Sequence, residues 1–241
     1  MTPGEREAII GGWHGDAFSL LGPHRVDEGW EVRAYLPQAT DAQILRDGQL
    51  APMDKADPQG LFVARLAGEP GPYRLRLKLW SAAEIEIDDP YRFPPLLSEF
   101  DLHLHSEGTN FELWRTLGAH LVEADGVPGV RFAVWAPNAL VVSVVGDFNE
   151  WDSRRHPMRM RDGGVWEIFI PHIGAGTHYK YSVRSKFYGY HQQKADPVAF
   201  ACEEPPKSAS IVADLAAYQW GDHEWLDRRG RTDWLNGRFS Q

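Results

Sequence analysis

This sequence has almost no cysteine. Its single thiol, Cys202, cannot close an intrachain disulfide, so a disulfide scaffold is excluded and stability must come from buried apolar surface. Positive charge is not in excess either. With 25 Lys and Arg against 34 Asp and Glu, the formal net charge is −9, which argues against a general binder of nucleic acid or of anionic membrane. No stretch approaches the ~20 consecutive apolar residues of a membrane span. The start Met1-Thr2-Pro3-Gly4-Glu5-Arg6-Glu7 lacks the basic segment and apolar run of a secretion signal, so a soluble, cytoplasmic chain is expected. Also absent are a nucleophile elbow, a glycine-rich phosphate loop and a zinc-protease helix motif.

What is present is a repeat. Glu31-Val32-Arg33-Ala34-Tyr35-Leu36-Pro37 lies over Val130-Arg131-Phe132-Ala133-Val134-Trp135-Ala136-Pro137, with Tyr35 on Trp135 and Pro37 on Pro137 at an offset of 100. The register then drifts: Phe62 meets Trp166, Tyr73 meets Tyr179, and Asp89-Pro90 meets Asp196-Pro197, at offsets of 104, 106 and 107. Small loop insertions explain the drift. A solenoid or propeller would need a period of roughly 20–50 residues, and 241 residues suit two domains of the usual ~100–150.

Both halves consist of short alternating runs bounded by Gly, Pro, Asp and Asn. The predicted fold class is all-β: two tandem immunoglobulin-like β-sandwiches joined by a short helical linker. Strands are expected at Trp30–Leu36, Ala42–Arg46, Leu61–Leu66, Tyr73–Trp80 and Ala83–Ile87, then at Gly129–Trp135, Val141–Val145, Val165–Ile170 and His178–Arg184. The run Val141–Val145 is too apolar for a wet face, which places it centrally in a sheet. Thr109-x-x-Glu112 fits a capping box, and Phe111, Trp114 and Leu117 share a face, so Thr109–Leu117 is predicted helical. Phe93-Pro94-Pro95 and Asp125–Gly129 break the pattern. The predicted divisions are a first sandwich over 1–94, a linker over 95–128, a second sandwich over 129–212 and a tail over 213–241. In that tail Trp220, Trp225 and Trp234 stand among charged residues, the pattern of a surface meant to pack on something.

The carboxylate pairs Asp88-Asp89 and Glu203-Glu204 lie beside prolines and read as solvated turn residues. His103-Leu104-His105 would put two imidazoles on one side of an extended strand, but two ligands without a third do not make a metal site. No catalytic residue, metal or cofactor is expected. Trp135 and Trp166 alternate with polar neighbours and read as core. Arg154-Arg155-His156, with Arg159 and Arg161, reads as a domain-contact surface.

A sugar ring has an apolar C–H face and a hydroxyl rim, so a glucan site needs an exposed flat aromatic with polar neighbours. Gly146-Asp147-Phe148-Asn149-Glu150-Trp151-Asp152 has that composition, with Asn149 and Asp152 as hydroxyl partners. Alternatively, Trp151 caps the end of the sandwich. Stacking a sugar on roughly 100 Å² of ring is worth about 2.5 kcal/mol, below the ~4 kcal/mol or more that association costs. One ring alone does not hold a glucan.

Several strings together resemble the amino-terminal region of bacterial glycogen branching enzymes (1,4-alpha-glucan branching enzymes). These are Asp101–Thr109, Leu117-Gly118-Ala119-His120 and Gly129–Ala139. Val144–Met158, Tyr179-Lys180-Tyr181 and Lys194-Ala195-Asp196-Pro197 resemble the family's glycogen-binding sandwich, carbohydrate-binding module family 48. His14–His24 is similar to its additional first sandwich. The resemblance implies that Trp151 stacks on α-1,4-glucan and that Lys180 contacts a hydroxyl. It implies glycogen or α-1,4-glucan oligosaccharides and a (β/α)₈ catalytic barrel as partners, with no nucleic acid or membrane. None of the barrel's motifs is present, and Tyr218–Arg229 is similar to the connector before it, so a fragment without transferase activity is expected. One departure stands out: the second aromatic of kinase-associated glycogen-binding modules has no clear counterpart, although Phe187, Tyr188 and Tyr190 lie nearby. A regulatory kinase subunit, a stand-alone glycogen-binding module and a structural interaction module remain as alternatives.

Overall fold

The computed structural model describes residues 1–232. Eight strands build the first sandwich: β1 Gly22–Val26, β2 Gly29–Tyr35, β3 Ala39–Arg46, β4 Gln49–Pro52, β5 Asp54–Asp57, β6 Leu61–Leu66, β7 Arg74–Leu79 and β8 Glu84–Asp88. They form one sheet in the order β1-β2-β6-β5 and another in the order β4-β3-β7-β8. Alternation decides the faces. In β7, Leu75 and Leu77 point into a core with Val32, Ile44 and Phe62, while Arg74, Arg76 and Lys78 point out.

Nine strands build the second sandwich: β9 Gly118–Ala124, β10 Val127–Trp135, β11 Ala139–Gly146, β12 Arg159–Met160, β13 Val165–Pro171, β14 His178–Ser185, β15 His191–Lys194, β16 Ala201–Cys202 and β17 Ser210–Ile211. One sheet runs β12-β13-β10-β9 and the other β11-β14-β17-β16, with β15 also on β14. Phe132, Val142, Val144, Trp166, Tyr179 and Tyr181 fill the core. β9 falls within the segment read from sequence as linker, yet it pairs with β10 from Ala124 to Gly118.

The repeat holds at the level of atoms. Tyr73 donates to Asp89 Oδ2 at 2.5 Å, and Tyr179 donates to Asp196 Oδ2 at 2.7 Å. The other oxygen of each aspartate accepts a backbone N–H two residues on, from Tyr91 and from Val198. Leu36 N–H reaches Gly60 O as Ala136 N–H reaches Gly164 O. Both glycines have positive φ, and a Cβ on either would sit 2.7 Å from the facing proline, so a side chain would break both turns.

Several expectations need correction. The helix lies upstream of Thr109–Leu117: α2 spans Glu99–Glu107, with Ser98 Oγ capping Asp101 N–H and Gly108 ending it in the left-handed conformation. (α1 is Pro3–Gly11, capped by Thr2 and Glu5.) Thr109 does not cap because the Asn110 side chain takes the Glu112 N–H, leaving only one turn, α3 Leu113–Thr116. His103 and His105 therefore sit on a helix, where a spacing of two turns them about 160° apart rather than onto one side. Finally, β11 is buried on both faces but is outermost in its strand order. Its free edge is covered by the chain at Pro157, which bridges Ser143, with Met158 N–H donating to Val142 O at 2.8 Å.

The sandwiches touch through residues between them in sequence and through the basic cluster, as expected. Tyr91 is buried and donates toward Pro157 O, Phe93 packs edge-on against Phe169, and Arg159 lies over the Phe18 ring while donating to Phe93 O. Asp88 joins the interface by accepting from Arg92 at 2.8 Å and facing His172 Nε2 at 2.7 Å. Asp88 and Asp89 are thus buried, not solvated as the flanking proline suggested. Glu204 is exposed, whereas the Glu203 carboxylate accepts from the Ala209 N–H. The tail aromatics Tyr218, Trp220 and Trp225 stay exposed, the last on α4 His223–Arg231; Trp234 lies outside the described residues. Among the described residues no helix is long and apolar enough to cross a membrane.

Candidate glucan-binding site

The loop after β11 is built around Asn149. Its Oδ1 accepts from Gly146 N–H at 2.9 Å, and its Nδ2 faces Val144 O and His156 Nδ1 at 2.9 and 2.8 Å. Burial, helped by the Arg155 charge, pushes the His156 imidazole down to about 3, so the neutral ring can accept there. Asn149 is 0% exposed and fully bonded. The expectation that it contacts sugar hydroxyls is therefore wrong; its amide shapes the loop.

Beyond Asn149 the chain turns sharply. Glu150 and Trp151 both have positive φ, 57° and 59°. For non-glycine residues this costs roughly 1–2 kcal/mol each, a strain that the Asn149 bonds and the Trp151 N–H to Gly146 O bond hold in place. The indole is half-buried, and its Nε1 donates to Asp147 Oδ1 at 2.9 Å. That contact fixes the ring plane. Asp147 and His156 were not picked out from sequence; the i, i+4 spacing of Asp147 before Trp151 was the available signal.

Strand pairing sets Lys180 opposite Val145, one residue from the Gly146 carbonyl that receives Trp151, so both expected contact residues lie at one end of the β11–β14 pair. Lys180 Nζ donates to Ser208 Oγ at 2.9 Å and remains partly exposed. Asp152 is held by Arg154 through both oxygens. Burial alone would raise this carboxyl; the Arg154 hydrogen bonds outweigh burial and keep it below the usual range. Asp152 is therefore a charged, partly open acceptor.

The other aromatics divide differently from expectation. Trp166 is core, with Nε1 bonded to Ala136 O. Trp135 is not: it is 54% exposed, lying outside the sheet against His105, with Nε1 on Gly163 O. It fails as core because β10 turns its last side chain away from the sandwich. Phe187, Tyr188 and Tyr190 are all exposed around the β14–β15 turn.

Two family models match the chain. Residues 2–91 match the N-terminal domain of the alpha-1,4-glucan branching enzyme GlgB, and residues 116–199 match carbohydrate-binding module 48 (isoamylase N-terminal domain). The 1,4-alpha-glucan branching enzyme GlgB 2 of Xanthomonas oryzae pv. oryzae is 51% identical over 231 residues, 95% of this chain. The corresponding enzyme of Rubrobacter xylanophilus is 49% identical over 92% of it. The chain spans 31% of the length of each of these relatives. Among solved structures, a pullulanase from Anoxybacillus sp. LM18-11 aligns over 83% of this chain and 28% of its own, at 14% identity and a TM-score of 0.37.

Proposed function

Because residues 2–91 match the GlgB N-terminal domain and residues 116–199 match carbohydrate-binding module 48, we propose that this chain is the glucan-holding region of a 1,4-alpha-glucan branching enzyme. In that reading it binds glycogen or α-1,4-glucan chains in the cytoplasm and influences how long a chain reaches a catalytic barrel. The barrel makes the α-1,6 branches and is the partner of this region. Trp151 stacks on a pyranose face, Lys180 meets a hydroxyl, and Asp152 supplies a charged acceptor at the edge of the same loop. The first sandwich ends near residue 94, and the glucan-binding unit ends near residue 212.

The observation that carries this reading is the constrained indole. A partly exposed tryptophan fixed by its own Nε1 and by two strained backbone residues is pre-organised, which reduces the ordering cost that otherwise defeats a single stacking contact. The test is affinity electrophoresis of the chain in glycogen-containing gels, where retardation is expected. Free migration would instead favour a purely structural support. An iodine-stain branching assay on the same chain should show no new branches, and new α-1,6 linkages would contradict the placement of the chemistry elsewhere.

A further inference from the structure

The loop that carries Trp151 has a second side. Glu150, Asp152, Arg154 and Arg155 form one wall of a cleft of about 400 Å³, and the facing wall comes from the Pro37-Gln38 turn and Leu79-Trp80-Ser81 of the first sandwich. Its size lies within the roughly 300–1,000 Å³ of small-ligand sites. The cleft thus joins the two sandwiches.

Trp80 is the feature that needs explaining. It is 67% exposed, yet it is held in place twice: its backbone N–H donates to Gln38 O at 3.2 Å, and Nε1 donates to Pro37 O at 3.0 Å. The turn beneath it is closed by Leu79 N–H to Ala83 O and Ala82 N–H to Leu79 O. Lys55 Nζ stands 5.0 Å from its ring centre. Scattered exposed aromatics are ordinary, and Trp220 in the tail is one. Trp80 differs because both of its N–H groups are anchored and its ring borders a cleft rich in acceptors. Gln38, behind it, has a buried Oε1 without a hydrogen-bond partner among the described residues.

A flat apolar plate beside two carboxylates matches a pyranose, with its C–H face and hydroxyl rim. We propose that this inter-sandwich cleft is a second α-glucan subsite, with Trp80 under the sugar face and Glu150 and Asp152 at the hydroxyls. The proposal rests on the reading that the chain holds α-glucan, and it assigns the first sandwich a direct part in doing so. Because Glu150 and Asp152 flank Trp151 in sequence, the two subsites share one loop. A long oligosaccharide engages both, and a short one engages them singly.

The test titrates the ¹⁵N-labelled chain with maltotriose and maltoheptaose, followed by amide shifts and calorimetry, alongside Trp80→Ala, Trp80→Phe and Trp151→Ala. Maltoheptaose should shift the amides of Gln38, Ser81 and Glu150. Trp80→Ala should abolish the shifts at Gln38 and Ser81 and weaken maltoheptaose by about tenfold, since linked contacts multiply, while Trp80→Phe retains most of both. Silent Gln38 and Ser81 amides in the parent chain, or unchanged maltoheptaose affinity in Trp80→Ala, would overturn the cleft assignment. If shifts at Asp147–Trp151 persist in that case, the Trp151 reading stands. If no amide responds to either sugar, both readings fall.

Discussion

The two sandwiches share a frame and part company at one loop. In the first, the chain leaves β3 after Arg46, reverses through the Asp47-Gly48 hairpin and returns as β4, so that Met53 N–H meets Ala42 O. In the second it leaves β11 after Gly146 and returns so that Met158 N–H meets Val142 O. The chain enclosed by these bonds is residues 43–52 in one copy and 143–157 in the other, and both methionines end up buried. The second copy thus lengthens one β-hairpin, and all of the added chain goes into the segment that carries Asn149, Trp151 and Asp152. The shared frame is structural. The extra length is where we propose binding, on a loop held by a rigid scaffold.

The comparison can be broken most forcefully at Asn149. Asn149→Ala strands the Gly146 N–H and the Val144 carbonyl, and it should destabilise the chain by about 3 kcal/mol. Gln49→Ala, at an exposed position of the shorter hairpin, should change stability by less than about 0.5 kcal/mol. Urea denaturation measures both, and equal effects would mean that the longer loop is not built on its asparagine. The tyrosine–aspartate pairs sharpen the comparison. Tyr73→Phe leaves Asp89 Oδ2 without its donor, whereas Tyr179→Phe leaves Asp196 Oδ2 the Tyr181 hydroxyl at 3.3 Å. Thermal melts should show losses of about 2 and about 1 kcal/mol respectively, and a reversed order would deny the backup role of Tyr181.

A smaller effect concerns pH. Burial pushes the Asp89 carboxyl up from 3.8 to about 6, although bonds from Tyr73 and Tyr91 oppose it. With a folded-state value above the unfolded one, Asp89 contributes stability that is full below about pH 4 and is lost as pH rises through about 6. Asp89→Asn should therefore make the melting temperature less sensitive to pH across that interval. An unaltered pH profile would mean that Asp89 stays ionised in the fold.

Much of the frame was legible because β alternation and duplicated Tyr, Pro and Asp-Pro positions are local signals. The linker was less so. Thr109-x-x-Glu112 and Ser98-x-x-Asp101 both look like caps, and only the Asn110 side chain, by taking the Glu112 N–H, decides between them. Thr2-x-x-Glu5 was overlooked at the start of α1. At the site, composition singled out Trp151, which remains our proposal, but Asn149 was misassigned because its side chain bonds to backbone groups that sequence spacing does not reveal. Trp135 failed for a related reason: alternation gives the face of a sheet, not whether something covers its outer end. Asp88 and Asp89 are buried by partners from distant parts of the chain, His172 among them, which no local pattern reports.

Glycogen-gel affinity electrophoresis of Trp151→Ala beside the parent chain tests the central claim most directly, that the lengthened hairpin of the second sandwich holds glucan through its constrained indole. The account predicts that the parent is retarded and that the variant, folded and equally stable to urea, loses most of that retardation. Equal retardation of the two proteins would contradict it.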